Sequence, residues 1–275
     1  MASVTQRINQ ITQPKGGYLK PSEFEKIEFN DGKILGEENI HASIIGMTVD
    51  YLTRYIMDRK NNPNKKYEYS LFEAFMISIE GYKIRMNLAG EKEIKNDKKN
   101  GVEIMQLLSR IKGLDDESII AACKVTTYDV WFRNTPFAFT SKGAVDTNPD
   151  KTTINNIRIM VERSLIFWEK YGPITVDGFT FEKNGYTSTV DTGDGDYLTK
   201  DTLWDFKVSK SNPTNKHTLQ LLMYWIMGKH SNKKEFKEIS KIGIFNPKLN
   251  IVYLYNMDNI RNEVIQDIEK NVICY

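Results

Sequence analysis

Acidic residues and one lysine lie close together in a short stretch of the second half of the chain. Asp194 and Asp196 come first, and Asp205 follows two positions before Lys207. Carboxylate oxygens are the ligands that Mg²⁺ and Mn²⁺ prefer, and a lysine ammonium can position a water molecule or offset developing negative charge. Held together, residues of these types are what metal-dependent cleavage of a phosphodiester bond requires.

The stretch predicts a β-hairpin whose turn lies at Lys200-Asp201. In that register Asp196 faces Asp205, and Asp194 would face Lys207 if the pairing continues that far. Directly opposed residues have Cβ atoms about 4.5–5.5 Å apart on one side of the sheet. Two opposed carboxylates repel each other unless a positive charge lies between them, and a divalent Mg²⁺ or Mn²⁺ ion satisfies that need.

The prediction depends on the length of the loop. Lys-Asp is not a favoured two-residue hairpin turn, for which Asn-Gly or Asp-Gly is typical. A four-residue loop over Thr199–Thr202 keeps the same pairing, whereas a three-residue loop would break it.

An acid-x-Lys triplet carries little weight by itself, because Asp31–Lys33, Asp58–Lys60 and Asp97–Lys99 have the same spacing. Asp205–Lys207 differs in context, since Leu203-Trp204 before it and Val208 after it indicate a buried strand. Burying unpaired charges is costly, so the pair is either a catalytic element or a structural ion pair. The catalytic interpretation is favoured.

A helix is predicted to follow the hairpin and to end at Met227. Gln220 and Tyr224 are four residues apart and therefore share one face, with Lys216 one turn earlier. An amide, a phenol and a lysine in this order can hold a phosphate backbone. The alternative is a helix edge that packs Tyr224 on the sheet. His217 is expected to be a surface residue.

The composition is typical of a globular protein, with 40% hydrophobic and 27% charged residues. A net charge of +2 means that nucleic-acid binding would need a local basic patch. The two cysteines, Cys123 and Cys274, indicate a reducing compartment and exclude a four-cysteine iron–sulfur cluster. No apolar signal core or membrane-length run is present, and a cytoplasmic location without membrane contact is expected.

Hydrophobic periodicity and helix-stop signals predict a largely helical first half and an α/β second half. The predicted helices are 37–59, 71–79, 102–111, 116–123, 152–171, 214–227 and 259–270. The predicted strands are 128–132, 174–181, 186–190, 196–199, 203–208, 239–245 and 251–255. Residues 1–20 are expected to be irregular, and 91–100 to be a solvated loop or helix end. The expected fold is α/β with a mixed central β-sheet flanked by helices.

Three motifs in order resemble the PD-(D/E)XK nuclease superfamily, and within it the RecB-type exonucleases. They are Gly-x-x-Asp at 193–196, Asp-x-Lys at 205–207 and Gln-x-x-x-Tyr at 220–224. The resemblance covers about residues 120–260. It implies a restriction-endonuclease-like core over 126–275 and a helical region over 1–125, in one domain of 275 residues.

The resemblance also implies roles for individual residues. Asp196, Asp205 and the backbone carbonyl of Phe206 would bind Mg²⁺ or Mn²⁺. Lys207 would orient or activate the attacking water. Gln220 and Tyr224 would contact DNA.

RecB-type domains carry a Gly-x-x-x-His motif whose histidine is a further metal ligand. This chain has Gly46-Met47-Thr48-Val49-Asp50, so the matching residue is Asp50. A carboxylate is an equally good ligand for Mg²⁺. Asp50 is either that ligand or a solvated helix residue beside Arg54, and Glu38 and Glu162 are competing donors.

The phrases Val49–Arg54 and Gly193–Asp196 are also similar to phage-type exonucleases of low-GC bacteria. A metal-dependent deoxyribonuclease, acting as an exonuclease, is therefore expected. The alternatives are a non-catalytic DNA-binding or assembly protein on a nuclease fold and a structure-specific endonuclease. A homo-oligomer or a recombination partner protein is compatible with any of the three.

Overall fold

The computed structural model describes residues 2–275. The α-helices are α1 Val4–Gln10, α2 Ala42–Asn61, α3 Tyr67–Ala74, α4 Met76–Leu88, α5 Glu91–Lys99, α6 Ile104–Arg110, α7 Asp116–Thr126, α8 Asp129–Arg133, α9 Thr135–Ala138, α10 Lys151–Tyr171, α11 Asn215–His230 and α12 Asn262–Asp267. The strands are β1 Ala2–Ser3, β2 Glu25–Glu28, β3 Val176–Thr180, β4 Val190–Thr192, β5 Asp194–Leu198, β6 Thr202–Phe206, β7 Lys241–Asn246 and β8 Ile251–Asn256.

The chain divides into two compact units. One contains residues 2–31 and Ile166–Tyr275, and the other contains Gly32–Leu165. The first holds all of the strands just given and is called the sheet unit; the second is called the helical unit. Residue 125, where the sequence predicted the change from a helical region to the core, lies inside α7, and α10 contributes residues to both units.

The sheet unit is built on a six-stranded mixed β-sheet in the order β2-β8-β7-β6-β5-β3. β6 and β7 run parallel, and the other neighbouring strands are antiparallel. The central strands β6 and β7 are almost continuously buried, as expected for strands covered on both faces. The predicted fold class, α/β with a mixed sheet flanked by helices, is confirmed.

Period-2 alternation sends neighbouring residues of β6 to opposite faces. Trp204 packs on one face with Phe167, at a ring-centroid distance of 4.9 Å, and Phe167 stacks on Phe245 at 4.1 Å. On the other face Leu203 joins the apolar cluster that includes Leu222 of α11. Asp205 is two residues after Leu203, so its side chain lies on the same face of the sheet, toward α11.

Three local predictions are wrong. The predicted strand at 128–132 is helix α8, the irregular segment 1–20 contains α1, and the charged run 91–100 forms α5. The aromatic residues after Tyr128 suggested a strand, but close packing against α4 overrides that propensity. A Cβ on Gly81 of α4 would lie 1.9 Å from the Tyr128 carbonyl oxygen.

Several boundaries also shift. The first long helix begins at Ala42 instead of Glu37 because the side chain of His41 accepts a hydrogen bond from the Ser43 N–H and caps it. The predicted strand at 186–190 begins only at Val190. At the C-terminus, α12 continues as a π-helical segment over Ile268–Ile273.

The glycine between the two acidic residues of β5 is required by packing. A Cβ on Gly195 would lie 2.0 Å from Cζ of the buried Phe179 ring. We expect Gly195→Ala to lower the free energy of unfolding by about 1–3 kcal/mol, measured by urea denaturation. Gly113→Ala is the matched control, because its Cβ would meet nothing within 4 Å. Equal stability of the two variants would contradict the close packing of β5 on β3.

Candidate functional site

The hairpin forms in the predicted register. Tyr197 pairs with Trp204 and Leu198 with Leu203, and the Thr199 N–H donates to the Thr202 carbonyl at 2.9 Å. The loop is therefore of even length. Buried Trp204 adds an indole N–H bond to the Thr199 hydroxyl at 3.1 Å, which helps to compensate for the unfavoured Lys-Asp turn.

Beyond Tyr197 and Trp204, the side chain of Asp196 replaces the next backbone hydrogen bond between β5 and β6. Its Oδ2 accepts a hydrogen bond from the backbone N–H of Phe206 at 2.7 Å. The strand pairing between β5 and β6 ends at Tyr197 and Trp204, so the strands separate at the residues that carry the acids. A charge-assisted bond of this kind fixes the carboxylate relative to the end of β6.

Asp205 and Lys207 form an ion pair at the end of β6. The Lys207 Nζ lies 3.0 Å from Asp205 Oδ1, and the Asp205 side chain is only 6% exposed. The second oxygen, Oδ2, is buried and has no hydrogen-bond partner. Burial lowers the pKa of Lys207, but Asp205 and Asp196 more than offset it, and the net pKa is raised. The lysine is therefore a cation facing both carboxylates.

Helix α11 brings an amide and a phenol to the same site. The Gln220 Nε2 donates to the Tyr224 Oη at 2.9 Å. Burial raises the pKa of the Tyr224 hydroxyl, and the carboxylates of Asp205, Asp194 and Asp196 raise it further. The phenol is thus near all three acids. Its ring also packs on the buried aromatic core, 5.5 Å from the Phe181 ring.

His217 was expected at the surface, and the structure places it half-buried beside the ion pair. Its Nδ1 accepts a hydrogen bond from the Thr214 N–H at 3.1 Å. Burial lowers its pKa, and nearby Lys207 lowers it further, while Asp205 opposes both. The sequence carried one indication of this position. His217 lies three residues before Gln220, in the first turn of α11, and therefore shares the helix face of Gln220.

Two predicted side chains lie at the margin of the site. Asp194 is exposed and pairs with Thr180 of β3. The β5–β6 pairing ends at Tyr197 and Trp204, so the hairpin does not continue to Asp194 opposite Lys207. Lys216 is exposed, and its Nζ donates to the Asn9 side chain of α1 at 2.7 Å.

The remaining acidic candidates belong to the helical unit. Asp50 accepts from the Arg54 Nε at 3.1 Å, and its side chain is only 19% exposed, so it is not a fully solvated helix residue. Glu162 forms an ion pair with Lys33 at 2.6 Å. Glu38 precedes α2 instead of lying on it, and its Oε1 accepts from Asn156 at 3.2 Å.

The site offers the carboxylates of Asp196 and Asp205 to a divalent cation. Within residues 2–275, no three His, Cys, Asp or Glu side chains form a group able to hold a metal. Mg²⁺ does not require one, since one or two carboxylates and several waters are its usual protein environment. The unpartnered Oδ2 of Asp205 is an unsatisfied buried anion atom that a cation would satisfy. Asp196 and Asp205 therefore fit Mg²⁺ or Mn²⁺.

Comparison with protein-family models, curated proteins and solved structures found no significant match. Within residues 2–275, no helix is both long and apolar enough to cross a lipid bilayer.

The buried ion pair makes a prediction about stability. Lys207→Met leaves the Asp205 charge buried without its partner, and we expect the free energy of unfolding to fall by about 1–3 kcal/mol. The double variant Asp205→Asn/Lys207→Met removes that charge and should recover most of the loss. Urea denaturation at neutral pH measures both. Additive losses in the double variant would show that the two side chains do not interact.

The Asp201–Lys241 pair of the same sheet is a matched control. The Lys241 Nζ and the Asp201 Oδ2 are 2.8 Å apart, but the side chain of Asp201 is 45% exposed and that of Lys241 is 38% exposed. Lys241→Met should therefore cost less than about 1 kcal/mol.

Proposed function

We propose that this protein is a metal-dependent nuclease that hydrolyses DNA phosphodiester bonds, acting as an exonuclease on a restriction-endonuclease-like core. One observation carries the proposal. The hairpin register brings Asp196, Asp205 and Lys207 to the same end of β6, with a buried Asp205 oxygen that has no protein partner. The six-stranded mixed sheet is compatible with such a core, and the motif resemblance supports the choice of reaction.

Asp196 and Asp205 would hold the cation, together with the Phe206 carbonyl at the end of the same strand. When bound, Mg²⁺ or Mn²⁺ supplies Lewis-acid polarisation of a phosphoryl oxygen and lowers the pKa of a water molecule. The protein's own part is preorganisation. The Phe206 N–H fixes Asp196, and the rigid centre of the sheet fixes Asp205, so neither carboxylate has to reorganise.

Lys207 has the charge and the position to act on the nucleophile. It remains a cation because two carboxylates face it. Its ammonium has three donors, and one is used by Asp205 Oδ1. The others can hold the attacking water and offset the negative charge that develops on the phosphoryl oxygens.

Gln220 and Tyr224 would position the DNA backbone. Because the Tyr224 oxygen accepts from Gln220, the phenolic proton is left to donate to an acceptor such as a phosphate oxygen. The phenol keeps that proton at neutral pH because its ordinary pKa is about 10, and burial raises the pKa further. Bonds of this kind fix register on the strand without reading its sequence.

A non-catalytic DNA-binding or assembly protein on a nuclease fold is the second candidate. The observation that favours it is that residues 2–275 contain no group of three metal-type side chains. Lys207 would then serve as the counter-ion of Asp205, and DNA would bind without being cut. The same nuclease assay separates the two functions.

Activity is tested with end-labelled linear DNA in the presence of Mg²⁺ or Mn²⁺. We expect the protein to release nucleotides from the ends, and Asp205→Asn and Lys207→Ala each to lower the rate by at least about a hundredfold. Asp201→Asn, on the same hairpin but paired with Lys241, should keep the rate of the unmodified protein. Circular DNA should resist an exonuclease.

If DNA is bound but not cut under any of these conditions, the non-catalytic function is correct. If Asp205→Asn and Asp201→Asn have equal activity, the site lies elsewhere.

Metal binding has a readout that does not need activity. A ligand that binds only the folded state stabilises it, by about 2.7 kcal/mol at one hundred times its Kd. We therefore expect MnCl2 to raise the melting temperature, and EDTA to reverse the rise. Asp205→Asn should lose the shift and Asp201→Asn should keep it. A shift that is identical in both variants would exclude Asp205 as a ligand.

A further inference from the structure

The helical unit contains a cavity that the proposed nuclease site does not use. Its volume is about 820 Å³, within the range of about 300–1,000 Å³ that ligand sites occupy. Residues from α4, α5 and the α8–α9 segment line it, and all of its lining residues lie in the helical unit.

Aromatic rings form one wall of the cavity. Trp131 and Phe139 meet edge to face, with ring centroids 4.9 Å apart. Phe139 is 66% exposed, although burying a phenylalanine is strongly favourable. The Arg85 guanidinium lies 5.9 Å from the Tyr128 ring centroid and 6.0 Å from that of Trp131. This wall thus offers planar surfaces on which another flat group can stack.

The charged side chains of the cavity are mixed. Lys92, Lys95 and Lys99 of α5 line it, together with Glu93 and Asp146. Arg85 is also in the lining, but Asp97 neutralises it through a two-point ion pair. The cations outnumber the carboxylates by one. Such a balance admits a phosphate backbone beside the lysines, while the rings must supply most of the affinity.

We propose that this cavity binds a single strand of DNA, with unpaired bases stacked on Trp131 and Phe139 and phosphates beside the α5 lysines. Every base has a flat face that an aromatic ring can stack on, so binding would tolerate any sequence. A duplex keeps its bases paired and cannot use the wall in this way. The choice of DNA over RNA rests on the proposed nuclease function, whereas the stacking itself does not.

The test is binding of a fluorescein-labelled oligo(dT), followed by anisotropy, with the full-length protein in EDTA so that no metal is present. We expect Phe139→Ala to weaken binding about tenfold, because it removes one base–ring stack. Phe137→Ala is the matched control, because Phe137 is 59% exposed and does not line the cavity. It should change the Kd less than about twofold.

A second variant keeps the test informative if Phe139→Ala alters folding, which its melting temperature reports. Lys95→Gln/Lys99→Gln changes two exposed side chains and should weaken binding while flattening its salt dependence. Equal affinities of the Phe139→Ala and Phe137→Ala variants, or equal binding of the labelled duplex, would overturn the proposal. So would oligo(dT) binding that neither variant changes. Because no metal is present, these results stand apart from the outcome of the cleavage assay.

Discussion

The antiparallel pairing of Tyr197 with Trp204 is the constraint on which the site depends. A slip of one residue would move every side chain of β6 to the opposite face. Asp205 would then enter the aromatic layer around Phe167, and Trp204 would displace it on the face of α11. The register is protected because Trp204 and Tyr197 are large, buried rings that fit on one side only.

The same constraint explains why the strands separate where they do. Past Tyr197 the hairpin replaces a backbone bond with the bond from the Phe206 N–H to Asp196. Asp196 is thereby fixed at the point where β5 parts from β6, while β5 stays paired with β3 on its other side. Gly195 lets Phe179 pack directly beneath this point. The acidic end of the hairpin is therefore held by the core.

Much of this arrangement could be predicted from the sequence because the hairpin is local. Alternation along Leu203–Lys207 and an even loop place Asp205 and Lys207 on one face, and Gln220 and Tyr224 follow from helical spacing. The position of His217 one turn before Gln220 indicated that it shares the face of the site, but the extent of its burial depends on how α11 lies on the sheet. The helical form of Asp129–Arg133 depends similarly on the close approach of Gly81, which no local pattern reveals. Asp50 matches the motif position and forms an ion pair with Arg54, so its role as a metal ligand stays a prediction.

We propose above all that Asp196 and Asp205 jointly hold a divalent cation. The most direct measurement is a crystal structure of the protein with Mn²⁺, using the anomalous signal of the metal to locate it. We expect an anomalous peak within coordination distance of Asp205 Oδ2 and of an Asp196 oxygen, with Lys207 beside it. The absence of a peak there at saturating Mn²⁺, with Lys207 still the counter-ion of Asp205, would contradict it.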